Sequence, residues 1–184
     1  MSDMSLPVVE VTVEVNGITR SASVPPRTTL ADFLRDYLGL RGTKVACEQG
    51  VCGSCSVLFD GVVVRSCLML AVQAAGHQIR TVEGLVSPQD ELSDLQQAFA
   101  KNDALQCGFC TSGMLMTATA ILDSDQPITL AKVHEALSGN LCRCTGYSGI
   151  TDAILETAAA RGLACDAPIS SFGSSPADRQ GNEH

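Results

Sequence analysis

The sequence predicts an α+β protein in which a small mixed β-sheet is followed by an all-helical domain. From Val9 to Val15 hydrophobic side chains alternate with polar ones, which is the period of a strand with one buried face. After Gly84 the hydrophobic residues recur every three or four positions, as along the buried face of a helix. We therefore predict a sheet domain over residues 1–83, a helical domain over 84–162 and a flexible polar tail over 163–184.

Turn residues divide the sheet domain into two hairpins. Asn16-Gly17 favours a tight turn, because both residues tolerate positive φ, and a second strand then runs from Ile18 to Val24. Asp60-Gly61 predicts a similar turn between strands at Ser56 to Phe59 and Val62 to Val64.

A helix and a last strand complete this domain. Thr28-Thr29 can cap the helix and Gly39 can end it. Its hydrophobic residues share one face, namely Leu30, Phe33, Leu34 and Leu38. The last strand is expected from Gln78 to Val82.

The second domain is predicted to contain four short helices. The first two carry periodic hydrophobic residues, namely Leu92, Leu95, Phe99, Met114, Ala118, Ile121 and Leu122. Thr129 is the expected cap of the third helix and Thr151 that of the fourth.

Composition excludes several classes of function. The 184 residues carry a formal net charge of −8, which argues against a nucleic-acid-binding face. No apolar run approaches the roughly 20 residues needed to span a bilayer, and the first ten residues do not resemble a secretory signal. We expect a cytoplasmic protein, in which nine cysteines stay reduced and serve metal ligation or redox chemistry.

The first group of cysteines has the spacing of a plant-type ferredoxin. Cys47, Cys52 and Cys55 lie in CEQGVCGSC, and Cys67 follows the second hairpin. This C-x4-C-x2-C pattern with a distant fourth cysteine is typical of [2Fe–2S] ligation. The alternative is a structural zinc site, which usually presents two C-x2-C pairs. The spacing favours the cluster.

The second group of cysteines is ambiguous when taken alone. Cys107 and Cys110 stand at the start of one helical segment, and Cys142 and Cys144 stand after another. The four residues meet only if two helical hairpins face each other. Spacing alone leaves both a zinc ion and a second cluster open.

Three strings in order, CEQGVCGSC, QCGFCTSGM and GNLCRCTGY, resemble the small iron–sulfur subunit of the xanthine oxidase family of molybdenum hydroxylases. This group includes bacterial aldehyde, carbon monoxide, nicotine and quinoline dehydrogenases. The resemblance covers roughly residues 8 to 160. One departure is Ser112, where the family usually has a proline that pre-sets the first turn of a helix.

The resemblance implies a β-grasp ferredoxin-like domain followed by a four-helix bundle. It implies two [2Fe–2S] clusters, the outer one nearer to FAD and the inner one nearer to the molybdenum cofactor. The implied outer ligands are Cys47, Cys52, Cys55 and Cys67, and the implied inner ligands are Cys107, Cys110, Cys142 and Cys144. The partners implied are a large subunit with molybdopterin, as such or as its cytosine dinucleotide, and a medium FAD subunit, in a heterotrimer or a dimer of heterotrimers.

Two residues are implied to contact the pterin. Gln106 directly precedes Cys107, and its amide offers both donors and an acceptor to the edge of a heterocycle. The alternative for Gln106 is an ordinary polar residue before a helix. Cys144 is implied to be both an iron ligand and the nearest protein link to the pterin. Cys165 lies outside both groups and is expected to be a free thiol.

The chain shows no nucleophile paired with a base and no phosphate-binding glycine motif, so we expect no substrate site. The resemblance implies that electrons released by hydroxylation of an aldehyde or N-heteroaromatic substrate pass through both clusters to FAD. Two other hypotheses for the function remain open: a stand-alone ferredoxin and a zinc-stabilised interaction module.

Overall fold

A computed structural model describes residues 7–86, 89, 91–124 and 126–164. In the first half of the described chain the elements are β1 Val9–Val15, β2 Ile18–Val24, α1 Leu30–Asp32 with its π-helical continuation Phe33–Tyr37, β3 Ser56–Phe59, β4 Val62–Arg65 and β5 Gln78–Arg80. The helices that follow are α2 Asp94–Lys101, α3 Thr111–Leu122, α4 Leu130–Leu137 and α5 Tyr147–Ala160. Short 3-10 turns lie at Ser66–Leu68, Ala71–Ala74 and Val82–Leu85.

The strands form one mixed sheet in the order β2-β1-β5-β3-β4. β5 joins the two antiparallel hairpins by pairing parallel with β1 and antiparallel with β3. Both predicted turns are confirmed, because Asn16-Gly17 and Asp60-Gly61 all have positive φ. β5 ends at Arg80 rather than at Val82, because Val82 begins a 3-10 turn.

Helix α1 is capped as predicted and packs against the sheet. Thr29 Oγ1 accepts a hydrogen bond from the backbone N–H of Asp32 at 3.1 Å. The helical segment ends before Gly39, whose φ is +73°. Fully buried side chains of the segment and of β1 form one core, namely Val11, Val13, Val15, Leu30, Phe33 and Leu34. The predicted mixed sheet with one helix is thus confirmed.

The helical half encloses a second core. Its largest buried side chains are Phe99, Met114, Met116, Ile128, Ile150 and Ile154. Thr129 caps α4 as predicted, because its hydroxyl oxygen accepts a hydrogen bond from the N–H of Lys132 at 3.2 Å. Ser87 and Pro88, near the start of this half, lie outside the described residues.

The predicted cap at Thr151 is wrong. Helix α5 begins at Tyr147, and Thr151 is buried inside it. Gly149 packs so closely on the carbonyl oxygen of Asn102 that a Cβ would clash with it, and Ile150 is buried in the core. These tertiary contacts extend the helix by one turn, which a local capping pattern does not reveal.

The two halves share an extensive contact. Helix α3 packs on β3, and Leu58 of β3 belongs to the core of the helical half. The contact brings the loop before β3 against the loop between α4 and α5. Within the described ranges, none of the helices could span a bilayer.

Candidate metal centres

The first group of cysteines occupies the loop before β3 and the 3-10 turn after β4. Cys55 and Cys67 are buried and pack against Ala31, whereas Cys47 and Cys52 are half-buried. The strongest interactions between thiols join Cys47 with Cys52 and Cys55 with Cys67, and Cys47 also acts on Cys67. The structure therefore brings together all four residues that the sequence places in this group.

Backbone N–H groups are directed at one sulfur of this group. The amides of Gln49 and Cys52 lie 3.5 and 3.4 Å from Cys47 Sγ. These hydrogen bonds lower the pKa of the Cys47 thiol to about 6. Burial and the neighbouring Cys55 thiol raise the pKa of Cys67 to about 11. The loop thus favours a thiolate at Cys47, and bound iron would stabilise a thiolate at the buried Cys67.

The second group forms where the start of α3 meets the loop between α4 and α5. Cys107 is exposed, while Cys110, Cys142 and Cys144 are half-buried. The strongest interactions between thiols join Cys107 with Cys144 and Cys110 with Cys142, and Cys107 also acts on Cys110. The helical hairpins therefore face each other, as convergence of the four cysteines requires.

Electrostatics in the second group parallel those in the first. The backbone N–H of Phe109 and the thiol of Cys144 lower the pKa of Cys107. Burial and the neighbouring Cys142 raise the pKa of Cys110 to about 12. The hydroxyl oxygen of Tyr147 accepts a hydrogen bond from the N–H of Cys142 at 2.7 Å, which fixes the backbone at that residue.

The donor sets fit a binuclear cluster. An Fe2S2 core is held by four thiolates, two on each iron, and each group presents four thiols as two pairs. Among the described residues, no set of three or more His, Cys, Asp and Glu side chains is close enough together to hold one metal ion.

The residues next to the second group are unusually apolar and exposed. Leu105, Phe109 and Leu141 are 48%, 43% and 50% exposed. Gln106 is exposed in the same segment, directly before Cys107. Its predicted pterin contact, like that of Cys144, stays a prediction. Cys165 lies outside the described residues.

The sequence analysis did not identify two polar residues that join the cysteine loops. Arg65 donates hydrogen bonds to Ser56 Oγ at 2.5 Å and to the carbonyl oxygen of Gly139 at 2.7 Å. Asn140 is 2% exposed and donates to the carbonyl oxygen of Gly53. Each lies two positions before a cysteine of one group, and Asn140 also lies within the string GNLCRCTGY; these are the signals that could have drawn attention to them.

Two sequence families match the chain side by side. Residues 13–81 match the family described as "2Fe-2S iron-sulfur cluster binding domain". Residues 81–155 match the family described as "[2Fe-2S] binding domain". Each match contains one of the two groups of cysteines.

Curated relatives and a solved structure resemble nearly the whole described chain. The 6-hydroxypseudooxynicotine dehydrogenase complex subunit beta of Paenarthrobacter nicotinovorans is 57% identical over 79% of this chain and 91% of its own length. The xanthine dehydrogenase iron-sulfur-binding subunit of Escherichia coli O157:H7 is 44% identical over 79% and 93%. The crystal structure of quinoline 2-oxidoreductase from Pseudomonas putida 86 matches with a TM-score of 0.79 and 52% identity, covering 85% of this chain and 98% of that one.

Proposed function

Because this chain belongs to the family of small iron–sulfur subunits of xanthine oxidase-type dehydrogenases, we propose that it is the electron-transfer subunit of a molybdenum hydroxylase. It relays electrons from a molybdenum–pterin centre on a large partner to FAD on a medium partner. Bound [2Fe–2S] clusters supply the one-electron chemistry. The observation that carries this proposal is the pairing of thiols in both groups.

The pairing supports a proposed assignment of ligands to individual irons. In the first group Cys47 and Cys52 would hold one iron, and Cys55 and Cys67 would hold the other. In the second group the pairs are Cys107 with Cys144 and Cys110 with Cys142. Contact between the two thiols of each pair supports this assignment, because two ligands of one tetrahedral iron are neighbours.

The domain organisation follows the two groups. We propose a β-grasp ferredoxin-like domain within residues 1–83 and a four-helix bundle within residues 84–162; most of the tail predicted over residues 163–184 lies outside the described residues. The two family matches meet at residue 81, close to this boundary. Packing of α2 to α5 around one core supports the bundle.

Exposed hydrophobic residues beside each group support two docking faces. Val51 and Leu68 are 59% and 61% exposed beside the first group, where the FAD subunit would bind. Leu105, Phe109 and Leu141 form the corresponding face for the molybdenum subunit. Such apolar surface on a small protein is typical of interaction sites. The complex would assemble as a heterotrimer, or a dimer of heterotrimers, in the cytoplasm, where thiols stay reduced.

The substrate of the complex would be an N-heteroaromatic compound, with an aldehyde as the alternative. The names of the relatives above refer to a nicotine derivative, xanthine and quinoline, all of which contain nitrogen heterocycles. A substrate pocket on the large subunit would provide selectivity. Turnover of a panel of purines, quinolines and aromatic aldehydes by the purified complex tests this choice.

The test of the relay is metal analysis of the purified complex. We expect about four irons and four acid-labile sulfides per chain, two paramagnetic signals after reduction, and co-purification with a molybdenum-containing subunit. About two irons per chain, or zinc in place of half the iron, would contradict the second cluster. Full iron content without a large partner would favour a stand-alone ferredoxin.

A further inference from the structure

We propose that Asn140 and Arg65 are positioning residues that hold the two groups of cysteines in direct backbone contact and thereby set the electronic coupling between the two metal centres. The inference rests on the proposed function, because it requires a cluster in each group. It adds a specific role for two residues that are not ligands.

One hydrogen bond connects the two groups. The backbone N–H of Leu141 donates to the carbonyl oxygen of Cys52 at 2.8 Å. Because Leu141 is bonded to Cys142, the route from Cys52 to Cys142 consists of covalent bonds and this single hydrogen bond. An electron passing along this route would oxidise one centre and reduce the other, with no bond formed or broken.

Asn140 fixes both sides of this contact. Its Nδ2 donates to the carbonyl oxygen of Gly53 at 3.3 Å, one residue after Cys52. Its Oδ1 accepts hydrogen bonds from Thr117 Oγ1 at 3.2 Å and from Arg65 Nη2 at 3.3 Å. A fully buried amide with several partners holds its backbone rigidly, because losing a partner leaves a buried polar group unsatisfied.

Arg65 connects the same loops. Nη2 donates to the carbonyl oxygen of Gly139, and Nη1 donates to Ser56 Oγ, which itself donates to the carbonyl oxygen of Gly53 at 2.6 Å. Arg65 is also two residues before Cys67, a predicted ligand. The Arg65 guanidinium therefore connects the first group of cysteines, by hydrogen bonds, to the loop that leads into Cys142.

The backbone of the loop before β3 approaches the backbone of the loop between α4 and α5 directly at Gly53. Gly53 has φ of +73°, and a Cβ there would clash with the carbonyl oxygen of Gly139. This close approach of the two backbones is what allows the Leu141 hydrogen bond to form. Asn140 and Arg65 hold the backbones there through one hydrogen-bonded network.

A second arginine offers a matched control. Arg80 also connects the sheet to the helical half, through a hydrogen-bonded ion pair between its Nη1 and Asp123 Oδ2 at 3.2 Å. This pair involves neither the Gly53 loop nor the Gly139 loop. Arg80→Gln therefore removes a contact between the halves without affecting the hydrogen bonds between the two cysteine loops.

The experiment compares Asn140→Ala, Arg65→Gln and Arg80→Gln in the complete complex. Iron and sulfide content is measured first, because a wild-type content below about four irons per chain would contradict the proposed function rather than this inference. In Asn140→Ala and Arg65→Gln with full iron, we expect weaker magnetic interaction between the two reduced clusters in electron paramagnetic resonance spectra. We also expect roughly tenfold slower electron transfer between them after rapid reduction, a typical cost of removing a partner just outside the ligands.

Arg80→Gln should leave both readouts at wild-type values, and Arg65→Lys should restore part of the loss. Wild-type coupling and rate in iron-replete Asn140→Ala and Arg65→Gln would overturn the proposal, as would an equal loss in Arg80→Gln. If Asn140→Ala loses iron, Asn140→Asp replaces it, because the carboxylate keeps the acceptor for Thr117 and Arg65 and lacks the donor to Gly53. Loss of iron in both variants would make Asn140 an assembly residue and overturn the proposal.

Discussion

Gly113 in α3 lies directly against the carbonyl oxygen of Gly53 in the loop of the first cysteine group. A Cβ on Gly113 would overlap that oxygen and stand 3.0 Å from the α-carbon of Ser54. The helix that begins beside Cys110 thus touches the loop that carries Cys52 and Cys55. Both groups of cysteines depend on this absence of a side chain.

Gly113→Ala should destabilise the chain although alanine is the better helix former. Alanine gains about 1 kcal/mol in a helix interior, but overpacking against a backbone that cannot move costs about 1–3 kcal/mol. We expect a lower midpoint of thermal unfolding and weaker coupling between the halves. Ala120→Gly, at a half-buried position of the same helix, measures the difference in helix propensity between alanine and glycine without the clash. A higher midpoint in Gly113→Ala would contradict the close contact.

Loss of one ligand should affect one cluster. Cys47→Ser should lower the iron content from about four to about two per chain and remove one of the two paramagnetic signals, and Cys110→Ser should remove the other. The groups lie in separate cores, so each site can assemble alone. Cys165→Ser is the control and should keep all the iron. Loss of iron from that variant would show that the ligand assignment is wrong.

The sheet and the first cysteine group were predictable because their determinants are local. Two-residue turns and alternating valines define the hairpins, and Cys47, Cys52 and Cys55 lie within nine residues. Thr129 shows the same principle, since its capping hydroxyl and the N–H it accepts from are three residues apart.

Local reasoning could not predict the second group of cysteines or the contact that Arg65 and Asn140 make between the two cysteine loops. Cys110 and Cys142 approach each other only because α3 and the loop after α4 pack together, so their spacing left zinc open. Arg65 reaches the carbonyl oxygen of Gly139 across 74 residues. A hydrogen bond from a side chain to a distant backbone oxygen produces no periodic pattern in the sequence.

Ser112→Pro should stabilise the start of α3. Ser112 is buried in the first turn, and its hydroxyl has no hydrogen-bond partner among the described residues. Proline fits the first turn of a helix, restricts the unfolded chain and removes the unpaired hydroxyl. We expect a gain of about 0.4–1 kcal/mol in the free energy of unfolding, with unchanged iron content. Ser112→Ala removes only the hydroxyl, so it separates the effect of the unpaired hydroxyl from the restriction that proline places on the unfolded chain. A loss of stability in Ser112→Pro would contradict the prediction.

Gln106 should couple this subunit to the molybdenum cofactor of its partner. Its side chain is exposed in this chain and adjoins Cys107, so a partner that covers the second cluster also covers this amide. A pterin edge presents ring nitrogens, an amino group and a carbonyl, which one carboxamide can match with a donor and an acceptor together. Leaving such groups unpaired at a dry interface would cost about 1–3 kcal/mol.

Gln106→Leu should therefore weaken cofactor retention or slow the reduction of the clusters by substrate, while about four irons per chain are kept. Gln97→Leu is the matched control, because Gln97 is also exposed but lies on α2, away from the cysteines. Relative activity towards different substrates should not change in either variant, since the substrate pocket is proposed to lie on the large subunit. The measurements are molybdenum content, turnover and the rate of cluster reduction in the purified complex. Wild-type values for all three in Gln106→Leu would refute the pterin contact and leave Gln106 as a polar residue before a helix.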